Sequence, residues 1–339
     1  MSSLAASADG TTPPVQSPGS YTLSASQDER ARAFRKNTSK LSYPRWMDQV
    51  MIRGSVMMLP LNVGYTLFYF GTLTPFMMIT RLTRRITNKN RSHSEGSLTA
   101  VGALYGRARG AIMGFNPDSL ALRFMRHVNA PWVLWINFQI NLRIESLQYW
   151  LTRTTFSSQM YRWFKIPIDT ATFLQLRTCW IDDFVQEFAS RYSNTSSQLV
   201  ILGAGYDSRC YRLTKLPSGM TKFEVDAQGT QKLKKQILTK INVDHSAVRF
   251  VTCDFGTEDW VDKLEEKGFS KNIPTCFVWE GVTVYLTEDD VISTLKTVKQ
   301  CAPGTIIGYD FNAPWLVSKY KEKTKGFGEE WKFGIPLQN

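Results

Sequence analysis

The stretch that most constrains the fold runs from Gln198 to Leu213 and reads QLVILGAGYDSRCYRL. It opens with the apolar, mostly branched run 199–202, which is typical of a strand buried on both faces in a parallel sheet. The run breaks into Gly203-Ala204-Gly205, where a tight turn can form and a ligand can approach the backbone closely. Asp207 and Ser208 follow at positions from which they would cap a helix. The stretch therefore predicts a strand, a ligand-binding turn and a helix in succession.

Strand-like and helix-like segments alternate from residue 198 onward. The predicted strands are 199–202, 222–226, 248–252, 275–279 and 304–310, and the predicted helices lie near 207–213 and at 228–239, 258–267 and 287–299. Such alternation predicts an α/β, Rossmann-like, doubly wound and mostly parallel sheet with helices on both faces. Helical patterns at 98–114, 119–127 and 170–192 predict an N-terminal helical lid region before the sheet.

Glycines and acidic residues follow successive predicted strands, at the sheet edge where open α/β folds bind ligands. These residues are Gly203 and Gly205 after the first strand, Asp226 after the second, Asp254 and Phe255 after the third, and Glu280 after the fourth, with Tyr285 beyond. Asp226 follows Gly205 by about 20 residues, the spacing at which a carboxylate reaches ribose hydroxyls. The set predicts a cleft for a ligand with an adenosine and a positive centre. A dinucleotide site would carry a third glycine where this chain has Ser208.

Charge and cysteine usage narrow the possible partners and the cell compartment. The net charge is +12, but the basic residues are spread along the chain, and their densest groups flank an uncharged apolar stretch, 54–80. This distribution favours a membrane surface over a nucleic-acid groove. The five cysteines include no CxxC pair and the three histidines lie far apart. Both features indicate reduced thiols in an intracellular protein and no metal site.

The N-terminal region is expected to differ from the rest. Residues 1–53 are predicted to be a disordered, basic segment. The stretch 54–80 is long enough to span a bilayer and predicts a transmembrane or membrane-anchoring segment. The alternatives are a buried helical hairpin or a pair of core helices broken at the prolines. We expect the protein to be cytoplasmic or membrane-associated.

The remaining chain, 98–339, is predicted to be one domain with two regions. Residues 98–192 would form the helical lid and substrate region, and 198–312 the cofactor-binding sheet. The aromatic-rich part, 131–164, is interpreted either as helical core or as an apolar lid over a substrate pocket.

Between residues 98 and 334 the sequence resembles the class I S-adenosylmethionine-dependent methyltransferases, and most closely the leucine carboxyl methyltransferase-type family. The phrases that carry the resemblance are LRTCWIDDF, QLVILGAGYDSRCYRL, FEVDAQGTQKLKK, CDF, WEGVTVYL and APGTIIGYDF. The resemblance implies S-adenosyl-L-methionine as cofactor. It also implies methylation of a carboxylate or hydroxyl on a small-molecule or peptide acceptor.

The resemblance assigns roles at the methionine end of the cofactor. Arg177 would pair with the methionine carboxylate, and Glu280 would lie near the methionine amino group and the reaction centre. Tyr285 would line the substrate side. A hydroxyl acceptor would need a general base, for which Glu280 and Tyr285 are the candidates.

The resemblance also assigns roles at the nucleoside end. Gly203 and Gly205 would form the cofactor turn, and Asp226 would accept from the ribose hydroxyls. Asp254 would accept from the adenine amine, with Phe255 beside it.

The chain departs from the family pattern near its end. Family members continue beyond the position of Gly334 and close a seven-stranded sheet, so the last two strands are expected to be missing here and a sheet edge to be open. Two other functions stay open. One is a membrane-anchored, degenerate methyltransferase fold that binds without turnover; the other, less favoured, is an NAD(P)-dependent oxidoreductase, which Asp226 would serve equally.

Overall fold

The computed structural model describes residues 97–130, 132–152, 170–255, 258–325 and 330–336. The predicted N-terminal segment 1–53 and the predicted membrane segment 54–80 lie outside these ranges. None of the helices within these ranges combines the length and apolar character needed to cross a membrane.

The described strands form one sheet. They are β1 (Ser197–Leu202), β2 (Met220–Asp226), β3 (Val248–Thr252), β4 (Thr275–Trp279) and β5 (Ile306–Tyr309). All neighbours pair in parallel, in the order β3-β2-β1-β4-β5. The direction in which successive strands are added reverses beside β1, and such reversals create a ligand-binding crevice. The predicted α/β class and doubly wound parallel sheet are confirmed.

Helices lie before, between and after the strands. They are α1 (Leu98–Ile112), α2 (Ser119–Met125), α3 (Trp132–Thr152), α4 (Thr170–Arg191), α5 (Arg209–Arg212), α6 (Gln228–Lys240), α7 (Trp260–Glu265), α8 (Glu288–Lys299) and α9 (Pro314–Lys325). A 3-10 turn, Thr283–Tyr285, precedes α8. Side-chain caps explain several starts: Ser97 accepts a hydrogen bond from the backbone N–H of Ala100, and Asp118 from that of Ala121.

The central strand β1 is buried along its whole length because both faces of the sheet are covered. Leu199 and Ile201 pack into a cluster with Ile181 of α4. Val200 and Leu202 point to the opposite face, where they pack with residues of α7 and α8. This alternation is the expected two-residue period of a strand between two helical layers.

The aromatic-rich stretch 131–164 is described only through residue 152, within α3. Trp135 and Phe138 pack against the cluster built by α1, α2 and α6, and the Phe138 ring stacks on Tyr105 with centroids 4.7 Å apart. This packing agrees with the helical-core interpretation, whereas Trp150 is 66% exposed. The lid interpretation stays a prediction.

Of the two expected capping residues, Asp207 accepts a hydrogen bond from the first backbone N–H of α5, that of Arg209, at 2.7 Å, whereas the expected cap at Ser208 is wrong. Ser208 occupies the N-cap position of α5, but its side chain makes no capping hydrogen bond. Its hydroxyl instead donates to Asp118 Oδ1 at 2.7 Å. Ser208 therefore bonds to Asp118, which is 90 residues away, and not to a backbone N–H of α5.

The described residues after β5 comprise α9 and an extended tail, 330–336, with no sixth strand among them. The tail runs back toward the ligand edge of the sheet. The backbone N–H of Lys332 donates to the Val284 carbonyl at 2.6 Å, and that of Ile335 to the Asn312 carbonyl at 3.0 Å. These bonds bring the tail against the segments that follow β4 and β5.

Candidate active site

The glycine turn after β1 needs glycine for two separate reasons. Gly203 and Gly205 have φ values of +67° and +45°, in the left-handed region that L residues rarely adopt. A Cβ added at Gly203 would lie 2.2 Å from Val282 Cγ2, a contact that no real Cβ makes. The turn is therefore pressed against the segment that follows β4.

Asp226 ties the end of β2 to this turn. Its carboxylate accepts hydrogen bonds from the backbone N–H of Gly205 and, at 2.6 Å, from that of Ala227. The Ala204 N–H donates to the Val225 carbonyl at 3.0 Å, so the turn is held by both backbone and side chain. The predicted turn and the predicted ribose-binding acid are thus in direct contact.

Arg177 of α4 reaches the ends of β4 and β5. Its Nε donates to Glu280 Oε1 at 2.9 Å, and its Nη1 donates to Asp310 Oδ2 at 2.5 Å. The other oxygen of Asp310 accepts from the Gly281 N–H at 2.5 Å. Among its hydrogen bonds to described residues, none uses Nη2. The guanidinium is thereby oriented by two carboxylates and keeps a donor for a further anion.

A second guanidinium, that of Arg209, meets Glu280 from the other side. Arg209 Nη1 donates to Glu280 Oε2 and to Asp207 Oδ2, each at 2.5 Å, and its Nε donates to Asp182 Oδ1 at 2.8 Å. The Arg209 side chain is fully buried. Both oxygens of Glu280 therefore accept from charged donors, which makes strong hydrogen bonds.

These contacts fix the charge state of an ion cluster. Its members are Arg177, Asp182, Asp207, Arg209, Glu280 and Asp310. Burial alone would raise the pKa of Glu280, but the guanidinium groups of Arg209 and Arg177 hold that pKa well below its ordinary range. Burial likewise opposes the charge of Arg177, yet Glu280 and Asp310 raise its pKa above the usual value. Glu280 is therefore an ionised carboxylate at neutral pH.

The remaining predicted site residues lie at the same edge of the sheet. Asp254 and Phe255 follow β3, where the Asp254 N–H donates to the Glu258 carboxylate at 2.9 Å and Phe255 packs on the core. Tyr285 ends the 3-10 turn after β4 and is half-buried. From β3 to β4 the edge spans three strand spacings, about 14 Å. That length suits an extended nucleoside with an amino-acid tail.

Sequence reasoning missed several members of the ion cluster. They are Asp182, Asp207, Arg209 and Asp310. Asp310 carries the same signal that identified the other acids, because it directly follows a strand. Arg209 lies within the phrase that was recognised, but no pattern along the chain shows which carboxylates it joins.

Comparison with known proteins gives a family and a set of relatives. A family model described as leucine carboxyl methyltransferase matches residues 105–299. A protein of Parafrankia sp. is 31% identical over 170 residues, which cover 48% of this chain and 53% of that protein. A protein of Streptomyces avermitilis is 30% identical over 146 residues, covering 43% and 50%. One of Mycobacterium ulcerans is 35% identical over 145 residues, covering 41% and 46%. All three are provisionally named S-adenosyl-L-methionine-dependent methyltransferases.

The chain spans about half the length of the curated relatives it matches. Among solved structures, PKMT2 from Rickettsia typhi in complex with AdoHcy has a TM-score of 0.30 at 13% identity, covering 42% of this chain and 28% of that one. The glycopeptide N-methyltransferase MtfA complexed with S-adenosyl-L-methionine has a TM-score of 0.29 at 15% identity, covering 40% and 56%. Likenesses of this size carry no conclusion about the chain.

The match to the family model, unlike these structural likenesses, supports a conclusion. It includes the glycine turn, Asp226, the Arg177–Glu280 pair and Tyr285. Because the matched residues make up more than half of the sequence, the chain belongs to the leucine carboxyl methyltransferase family.

Proposed function

We propose that the protein is an S-adenosyl-L-methionine-dependent methyltransferase that methylates a carboxylate or hydroxyl oxygen of a small-molecule or peptide acceptor. The pairing of Arg177 with Glu280 carries the proposal. It presents a guanidinium and a carboxylate side by side, which complements the carboxylate and amino group of an amino-acid ligand. The provisional names of the relatives from Parafrankia and Streptomyces avermitilis support the same cofactor.

The nucleoside end fits the same ligand. Glycine at 203 and 205 gives the turn its left-handed backbone, and the absence of side chains there lets a ligand approach the backbone closely. Asp226, already oriented by the turn, would accept from the ribose hydroxyls. Asp254 would accept from the adenine amine, with Phe255 beside the ring. A dinucleotide is less well served, because the Ser208 hydroxyl is engaged with Asp118 where a third glycine would be needed.

For methyl transfer, the protein mainly has to align the acceptor with the methyl group. When bound, S-adenosyl-L-methionine supplies a methyl group already activated by the sulfonium charge. The chain would align the acceptor in line with that methyl group and exclude water. Glu280 is a poor general base, because both its oxygens accept from guanidinium groups and its pKa is lowered by them. A carboxylate acceptor needs no base, whereas a hydroxyl acceptor would depend on Tyr285.

The first test is a calorimetric titration of the purified full-length chain with S-adenosyl-L-methionine, with NADH as the comparison ligand. Saturable binding of S-adenosyl-L-methionine alone is expected. Binding of NADH alone would replace the proposal with the oxidoreductase alternative.

The second test follows label from methyl-labelled cofactor into carboxylate-bearing and hydroxyl-bearing acceptors. Mild alkali releases methanol from a methyl ester but not from a methyl ether, so the treatment distinguishes the two oxygen acceptors. Cofactor binding without transfer to any acceptor of either class would favour the alternative of a binding protein without turnover.

A further inference from the structure

Arg209 joins the three segments that build the methionine end of the site. It begins α5, directly after the glycine turn, and pairs with Asp207 of that turn. It also contacts α4, through Asp182 and, at 3.3 Å, through the carbonyl oxygen of Thr178. Its contact with Glu280 reaches the end of β4. One guanidinium therefore links the turn, the helix that carries Arg177 and the strand that carries Glu280.

The geometry excludes a direct role for Arg209 in holding a ligand. Its side chain is 0% exposed. Nε, Nη1 and Nη2 all donate to protein oxygens, and Nη1 donates twice. Because a guanidinium has five N–H donors, four of them are already used.

We infer that Arg209 is a positioning residue that aims Glu280 at the amino group of the cofactor's amino-acid part, an inference that rests on the function proposed above. Glu280 could otherwise turn both oxygens toward Arg177 in a bidentate pair, the arrangement that an isolated arginine and carboxylate favour. Arg209 prevents this by taking Oε2, while Arg177 keeps only Oε1. The division leaves Arg177 able to meet the ligand carboxylate.

Arg212 provides a matched control one helical turn away. It lies in the same short helix, and its Nη1 and Nη2 donate to the two oxygens of Asp182, each at 2.6 Å. Its Nε donates to the Ser208 hydroxyl at 2.8 Å. Its side chain is 6% exposed, and its hydrogen bonds to described residues go to Asp182 and Ser208, not to Glu280. The two arginines thus share burial and the partner Asp182, and differ in their reach to Glu280.

The experiment compares Arg209→Lys and Arg212→Lys in the full chain by calorimetric titration with three ligands. S-adenosylmethionine and S-adenosylhomocysteine carry the amino-acid part, and 5′-methylthioadenosine lacks it. Lysine keeps the charge but cannot bridge several carboxylates in the planar fork geometry of arginine. Arg209→Lys should weaken the two amino-acid-bearing ligands by roughly tenfold or more, as expected for a misdirected charged hydrogen bond. Its affinity for 5′-methylthioadenosine should stay within about twofold, and Arg212→Lys should leave all three affinities within the same margin.

The inference is overturned if Arg209→Lys weakens all three ligands equally, if it weakens none, or if Arg212→Lys produces the same selective loss. A wild-type protein that binds none of the three ligands would overturn the proposed function itself.

A second variant keeps the test decisive if Arg209→Lys does not fold. Asp207→Asn leaves Arg209 in place but removes one of the charges that orient its Nη1. A smaller loss confined to the two amino-acid-bearing ligands is expected. An equal loss for the three ligands, or no loss, would overturn the inference.

Discussion

Replacing Gly203 with alanine should damage the turn through two separable costs. The left-handed backbone at φ +67° costs about 1–2 kcal/mol for a residue with a Cβ. The new methyl group would lie 2.2 Å from Val282 Cγ2, and such overpacking costs about 1–3 kcal/mol more. The free energy of unfolding should therefore fall by about 2–5 kcal/mol in Gly203→Ala.

Val282→Ala separates the two costs, because it removes the clashing methyl group but leaves the backbone conformation unchanged. Alone it should cost at most about 1.5 kcal/mol, because it removes two methyl groups from a side chain that is only partly buried. The double variant should be more stable than the sum of the single effects by about 1–3 kcal/mol, since only the overpacking is relieved.

Urea unfolding of the wild type, both single variants and the double variant measures this coupling. Effects that add within about 0.5 kcal/mol would refute the close approach of Gly203 to Val282. The same four proteins, titrated with S-adenosylmethionine, show whether the turn also controls binding. Partial recovery of affinity in the double variant is expected, because Gly203 holds the turn that Asp226 fastens.

Three further predictions concern the charges of the site and the N-terminal region. Asp226→Ala should weaken S-adenosylmethionine binding by about 1.5–3 kcal/mol in calorimetry, whereas alanine at the exposed Asp244 should not; equal affinities would show that the ribose lies elsewhere. Glu280→Gln should lower the free energy of unfolding at pH 7 by about 3–5 kcal/mol, because it breaks a buried ion pair. The Glu280 pKa is lowered in the folded protein, so its contribution is present above about pH 4.3 and is lost as the pH falls further. Urea unfolding should show the wild type and Glu280→Gln converging below that pH, and a constant difference would contradict the assignment. If 54–80 anchors the protein as the sequence predicts, deleting residues 1–86 should move it from the membrane pellet to the supernatant while S-adenosylmethionine binding persists; a truncated protein that stays in the pellet, or a full-length protein found in the supernatant, would count against the anchor.

The strands were predictable because their sequence runs report local physics. Val248–Thr252 and Thr275–Trp279 begin and end as predicted, since branched and aromatic residues bounded by polar ones leave little alternative. The start of β1 was placed two residues late, because Ser197 and Gln198 are polar yet buried. Gln198 satisfies its side chain by donating to the Ser270 carbonyl at 2.8 Å, which no local pattern shows.

The site residues likewise include some that could be predicted from the sequence and some that could not. Residues that follow a strand could be found from the sequence, because the ends of parallel strands meet at one edge. The ion cluster could not, because its contacts join positions far apart in the chain. Arg209 and Glu280 are separated by 71 residues, and Ser208 and Asp118 by 90. The Asp118 contact is also why the expected cap at Ser208 failed.

Under the proposed function, the ionic contacts of Glu280 separate the binding of the cofactor from the choice of acceptor. The Glu280 carboxylate held between Arg177 and Arg209 would serve cofactor binding and would not serve proton transfer. Choice of acceptor must then depend on groups outside the ion cluster. Tyr285 and the returning tail at 330–336 are the described candidates, because the tail hydrogen-bonds to Val284, the residue before Tyr285. Substitutions there should change which acceptor is methylated and leave cofactor affinity intact, whereas substitutions in the ion cluster should do the reverse.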